Sequence, residues 1–232
     1  MTEKDVLYFE LLEAFQPGGC AICTLAQRAS DRYLNALLYE GVTDVHTREE
    51  LRDARGPCHR HAWRMAHKRG SVLGTAIIYR DVVNTLVKGL EESAPTAPRR
   101  LFGGGRGELG KRLAATAACP ACRLEQAAEE RVAKTLLKHL EQKEIGPAYV
   151  AAGGLCLPHF QLVLGHASAD ATSTLAGWQA TALHQLRDEL DELIRKHDHR
   201  FAREPITEAE GDSWQRGVAA VVGRDACVAR EI

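Results

Sequence analysis

Six cysteines and two histidines stand at spacings that metal chemistry uses. Cys20-Ala21-Ile22-Cys23 is a CxxC, and so is Cys119-Pro120-Ala121-Cys122. Cys58 is followed three residues later by His61, and Cys156 by His159. The chain therefore reads CxxC, 34 residues, CxxH, and then CxxC, 33 residues, CxxH. Positions i and i+3 share one face of a helix, so both donors of each motif can aim at one point. Three thiolates and one imidazole make the tetrahedral, closed ligand set of a structural Zn²⁺ site. A closed set leaves no position for water, which argues against zinc hydrolysis. The same set can ligate an iron–sulfur cluster, with a histidine in place of one cysteine. A third chemistry is dithiol redox at each CxxC, but that motif belongs in a strand–helix context that this sequence does not offer. The bland alternative is that the cysteines are plain buried small residues. Two CxxC and two CxxH motifs in register argue against it. The expectation is Zn²⁺, two ions per chain, with an iron–sulfur cluster as the alternative.

The repetition extends beyond these eight residues. Leu25 and Leu124 each lie two residues after the second cysteine, and Leu37-Leu38 and Leu136-Leu137 lie 14 and 15 residues after it. Gly56 and Gly154 each precede the third cysteine by two. After the histidines the match weakens: Ala62-Trp63 stands against Phe160-Gln161. Such self-similarity reads as an internal duplication. Its first half is 1–92 and its second 107–232, joined by a linker over 93–106 that is rich in Pro and Gly. The matched spacings favour one ion per half. An interlocked arrangement, with Cys20 and Cys23 sharing an ion with Cys156 and His159, stays open.

The elements that must position these donors are helical. Tyr8, Leu11, Leu12 and Phe15 fall at i, i+3, i+4 and i+7. Thr2 with Asp5 has the spacing of a capping box, and Gly18-Gly19 a stop. Further helices are expected over 21–40, 47–54, from about Cys58, over 71–90, 121–142 and 171–201. A last one opens at Thr207 with Glu210, carries Trp214, Val218, Val221 and Val222, and ends at Gly223. No strand pair is convincing, so the fold class is all-α. Pro120 and Pro158 suit a helix's first turn. Each metal motif thus sits where a loop becomes a helix, and the positive end of the helix dipole favours thiolates there.

The stretches Tyr8-Phe9-Glu10-Leu11-Leu12, Cys20-Ala21-Ile22-Cys23, Cys58-His59-Arg60-His61-Ala62-Trp63, Cys119-Pro120-Ala121-Cys122 and Gly154-Leu155-Cys156-Leu157-Pro158-His159-Phe160 carry a resemblance. The chain resembles a bacterial family of unknown function whose members hold a duplicated CxxC…CxxH pattern. The resemblance spans most of the chain, with no departure at the eight donor positions. It implies a bacterial cytoplasmic protein and supplies no activity.

Other candidates are weaker. Lys196-His197-Asp198-His199-Arg200 has the residue types of a second metal or acid–base site, but a charged, solvated helix end is the plainer reading. His59 rivals His61 as a ligand, although only His61 repeats the spacing of Cys156 and His159. His67, His166 and His184 read as surface or core histidines. Arg99, Arg100, Arg106, Lys111 and Arg112 surround Gly103-Gly104-Gly105, yet no Gly-Lys-Ser/Thr follows to make a P-loop. Cys227 reads as an incidental thiol.

Composition bounds the function. The 232 residues carry 30 Lys+Arg and 31 Asp+Glu, a net charge of −1, which argues against a nucleic-acid binder. No apolar run reaches the roughly 18 residues of a membrane span. The charged start Met1-Thr2-Glu3-Lys4-Asp5 lacks the apolar stretch of a signal peptide. A cytoplasmic setting is expected, where thiols stay reduced. No nucleophile elbow, His-Glu-x-x-His or dinucleotide fingerprint gives grounds for an enzyme. The reading is a metal-clasped helical binding or scaffold module for a protein or small-molecule partner. The alternative is an iron–sulfur redox or gas sensor, followed by a dithiol oxidoreductase.

Overall fold

The computed structural model describes residues 4–16, 18–92, 105–201 and 203–224, with backbone only over 105–108. Among the described residues the secondary structure is helical, without strands. In chain order the helices are α1 (Val6–Ala14), α2 (Ala21–Tyr39), α3 (Val45–Asp53), α4 (His59–Ala66), α5 (Val72–Glu91), α6 (Gly105–Leu113), α7 (Pro120–Lys138), α8 (Ile145–Ala151), α9 (Leu157–Leu164), α10 (Ala169–Lys196) and α11 (Glu208–Val222). Short 3-10 turns cover Gly41–Thr43 and His199–Phe201. No described helix is long and apolar enough to cross a membrane.

The chain forms two compact units: Met1–Arg28 with Gln126–Ile232, and Ala29–Glu125. These units do not coincide with the two halves, 1–92 and 107–232, read from the sequence. Both boundaries fall inside helices, within α2 and at the end of α7's second turn.

In the first unit, Asp5 caps α1 by accepting from the Tyr8 amide at 3.0 Å, and Tyr8, Leu11 and Ala14 turn inward. They pack with Ile22, Leu136, Ile145, Tyr149, Leu155 and Leu175. Burying a side chain of this size contributes about 1.5–3 kcal/mol. Helix α10 opens on Ser168, whose hydroxyl accepts from the Ala171 amide at 3.2 Å. It runs beside α8 and α11. The capping box expected at Thr207 is present, with Glu210 answering the Thr207 amide at 2.8 Å. Glu210 is held besides by Lys196 at 2.7 Å. Helix α11 buries Glu210 and Ser213 and leaves Trp214, Val218, Val221 and Val222 exposed.

In the second unit the core is Leu34, Leu37, Val42, Leu51, Met65 and Ile78. Helix α3 starts two residues before its expected Thr47, because Asp44 supplies the cap at 2.7 Å. Gly105 and Arg106, read from sequence as the end of a linker, form the first turn of α6. The rest of that linker, with Arg99, Arg100 and Gly103-Gly104, lies outside the described residues, as do Thr2 and Cys227.

Candidate metal centres

The two CxxH hooks are built alike. Helix α3 ends on a bond from the Gly56 amide back to the Leu51 carbonyl, at 2.7 Å, and α8 on the matching bond from Gly154 to Tyr149, at 2.9 Å. Such six-to-one closures need left-handed backbone. Arg55 and Gly56 have φ of 56° and 84°, and Gly153 and Gly154 have 89° and 81°. The chain then straightens at Cys58 and Cys156, which occupy the N-cap positions of α4 and α9. Their carbonyls accept the first helical bonds, from Ala62 and Phe160, at 2.8 Å each. One turn on, His61 and His159 come round to the same face. The CxxC motifs start helices in the same way: Cys20 and Cys119 accept from the Thr24 and Arg123 amides at 3.1 and 3.2 Å.

All eight sequence-picked donors are gathered, four to a group. One group, in the first unit, is Cys20, Cys23, Cys156 and His159; the other, in the second, is Cys58, His61, Cys119 and Cys122. The pairing is therefore crosswise, with each CxxC meeting the CxxH from the other half of the sequence. This corrects the expectation of one site within each half. The physical reason is length. Helix α2 carries the chain about 28 Å away from Cys20, while α3, the return leg, spans only about 13 Å at 1.5 Å per residue. Cys58 is met instead by the start of α7.

Within the first group, Nδ1 of His159 lies 3.4 Å from the Cys20 sulfur, 3.3 Å from Cys23 and 3.2 Å from Cys156. Cys23 and Cys156 are 3.7 Å apart. Within the second, Nδ1 of His61 lies 3.3 Å from Cys58, 3.6 Å from Cys119 and 3.4 Å from Cys122, with Cys58 and Cys122 3.5 Å apart. None of the six thiols is in a disulfide. His59, the rival ligand, points to solvent.

The far nitrogen of each imidazole meets a carboxylate from α7. Nε2 of His61 is 2.9 Å from Glu125, and Nε2 of His159 is 3.3 Å from Glu129. That leaves Nδ1 as the nitrogen facing the sulfurs, the tautomer a metal-bound imidazole needs. Glu125 is a buried hub. It also accepts from the Ser30 hydroxyl at 2.7 Å and pairs with Arg60 and Arg64. Arg64 and Lys68 in turn hold Asp31, at 2.5 and 2.7 Å. These supporting residues were not picked from the sequence. The available signal was that Glu125 follows Cys122 by three, the same one-face spacing that orients the donors.

In the Cys58 group the electrostatics favour a thiolate at Cys119. Burial would lower the His61 pKa, but hydrogen bonds to Cys119, Glu125 and Cys58 carry it up to about 10. Burial likewise opposes the Cys119 thiolate, and its contact with His61 still brings that thiol down to about 6. Cys122, desolvated and beside two other sulfurs, is pushed up to about 12. His159 is raised by the three sulfurs and Glu129 against its burial. In the Cys58 group negative charge thus gathers on Cys119 beside His61, and its repulsion of the neighbouring sulfurs holds Cys122 protonated. A cation at the centre of that group would relieve the repulsion.

The remaining histidine candidates do not gather donors. His197 bonds the Leu193 carbonyl, and Asp198 pairs with His199 and Arg200 at an exposed helix end. His67 bonds the Trp63 carbonyl and His166 pairs with Glu130, while His184 is exposed.

Fold and sites together define a helical protein of two compact units, each holding a Cys₃His donor group. Residues 1–227 match the profile of a family of unknown function (DUF6062), and the chain belongs to that family. It is 26% identical over 215 residues to the "Uncharacterized 23.9 kDa protein in xynA 3'region" of Caldicellulosiruptor sp. (strain Rt8B.4), covering 92% of this chain and 99% of that one. No solved structure matches.

Proposed function

We propose that each donor group holds one structural Zn²⁺ and that the protein is a metal-clasped binding or scaffold module. The observation that carries this reading is the size of the donor groups. Zinc bonds of about 2.3 Å to sulfur and 2.0–2.1 Å to nitrogen, at the tetrahedral angle, place sulfurs about 3.8 Å apart and sulfur and nitrogen about 3.6 Å apart. One sulfur pair in each group stands at that spacing, Cys23–Cys156 at 3.7 Å and Cys58–Cys122 at 3.5 Å, and sulfur and nitrogen are 3.2–3.6 Å apart. An iron–sulfur cluster spreads its ligands over several irons, to separations on the order of 6 Å. Donors within 4.8 Å of one another suit a single ion better. A closed set of four also leaves no place for substrate on the metal, which supports a structural role over a catalytic one.

The crosswise pairing gives the metals a mechanical part. In each unit an ion would tie a segment from the first repeat to one from the second. An ancestral duplication accounts for the two matching hooks and for the order of the motifs. Six closely packed thiols favour a reducing compartment, in keeping with the cytoplasm.

Elemental analysis of anaerobically purified protein tests the reading. About two zinc per chain and a colourless solution are expected. A brown protein carrying iron and sulfide, with visible absorbance that bleaches in air, would establish the iron–sulfur alternative instead. Metal-free protein that reduces insulin would point to dithiol chemistry.

A further inference from the structure

Beside the Cys20 group, in the same unit, lies a cavity of about 610 Å³. Its walls are α10, α11 and the two glycine turns that lead into Cys20 and Cys156. The volume falls in the range of small-molecule sites, about 300–1,000 Å³. Gly153 opens its backbone to the space, since a Cβ there would meet nothing within 4 Å.

The chemistry of the wall selects a ligand class. Three carboxylates line it: Glu189, Glu208 and Asp212. Among the described lining residues Arg216 is the sole cation, and it is already committed. It pairs with Glu189 and with Asp212, each at 2.7 Å, and bonds the Ala209 carbonyl. The Arg224 guanidinium lies beside Gly19 at the same wall, so an entering anion would meet three carboxylates against two guanidiniums, still a net negative charge. Val150, Leu155 and Leu186 supply apolar wall.

We propose that this cavity binds an organic ammonium ion with an apolar body. The proposal rests on the binding-module reading above but not on the identity of the metal. Glu208, in the first turn of α11, is the carboxylate that Arg216 does not engage and the one placed to meet the ammonium group.

The test is calorimetric titration of the metal-replete full chain with tryptamine, and with indole-3-propionate as an anion of the same ring and similar length. Spermidine and benzylamine extend the ammonium series. Tryptamine is expected to bind at concentrations up to about 1 mM, and the anion at least tenfold more weakly. Glu208→Gln should weaken tryptamine several-fold. Ala220→Trp, which fills the cavity from α11, should abolish binding, with helicity and metal content unchanged. Absence of binding by every ammonium probe overturns the proposal. So does equal affinity for the anion, or binding that Glu208→Gln leaves untouched. Metal content is read on the same samples, so loss of ammonium binding with two ions retained counts against the cavity alone, whereas absence of metal counts against the metal reading.

Discussion

Glu125 Oε1 sits 2.9 Å from His61 Nε2, on the side of the imidazole opposite three sulfurs. One turn further along α7, Glu129 stands in the same relation to His159, at 3.3 Å. Two successive turns of one helix thus orient both histidines. Carboxylates in this position fix a ligand's tautomer and raise its basicity.

Glu125→Gln should therefore lower metal affinity at the Cys58 group by about 10–100-fold. Glu129→Gln should cost less at the Cys20 group, because its contact is longer and Glu129 is more exposed. Competition against a chromogenic chelator measures both. Wild-type affinity in Glu125→Gln would show that the carboxylate does not tune the site.

The two hook glycines share a backbone conformation but not their surroundings. A Cβ on Gly154 would lie 2.7 Å from Gln179 Oε1, whereas one on Gly56 would lie 3.4 Å from the Tyr79 hydroxyl. Gln179 is fixed in place, since it bonds both the amide and the carbonyl of Leu155 at 3.1 and 3.0 Å. Gly56→Ala should cost about 1–2 kcal/mol, the strain of left-handed backbone. Gly154→Ala should cost about 1–3 kcal/mol more, through the displaced Gln179. Urea denaturation of the two variants gives the comparison, and equal losses would refute it.

His139 is fully buried, with its ring 4.8 Å from that of Tyr8. Neither ring nitrogen has a hydrogen-bond partner among the described residues. Burial, then the Lys138 charge, lowers its pKa. A pKa lower in the folded state means that the unfolded chain binds the proton more readily. Stability is then complete above the unfolded pKa of about 6.5 and declines as pH falls below it. His139→Phe should remove this decline and gain roughly 1 kcal/mol at neutral pH by deleting two unsatisfied groups. Melting curves between about pH 5 and 8 would show it. A parallel pH dependence in both proteins would assign the decline elsewhere.

How much of this was legible in the sequence differs from residue to residue. The eight donors could be read because helix geometry makes i, i+3 spacing meaningful by itself. The Thr207–Glu210 box could be read because capping is local. Helix α8, short and carrying Gly146 and Pro147, is not among the helices expected from sequence. The proline in fact stands in the helix's first turn, and Trp178 packs over the glycine, where a Cβ would lie 2.8 Å from the ring. The pairing of the motifs stays open in the sequence, where matched spacings lean toward one ion per half, because equal spacing says nothing about direction. It is decided by how far α2 travels and how short α3 is. Glu125 was passed over because a glutamate in a helix is ordinary until the histidine facing it is known.

The crosswise pairing is tested most directly by counting zinc in two double variants. Cys20→Ser with Cys156→Ser removes two donors from one group, and about one zinc per chain should remain. Cys20→Ser with Cys58→Ser damages both groups, and little or no zinc should remain. The reverse result, none in the first and one in the second, would mean that each half binds its own ion and would contradict the arrangement.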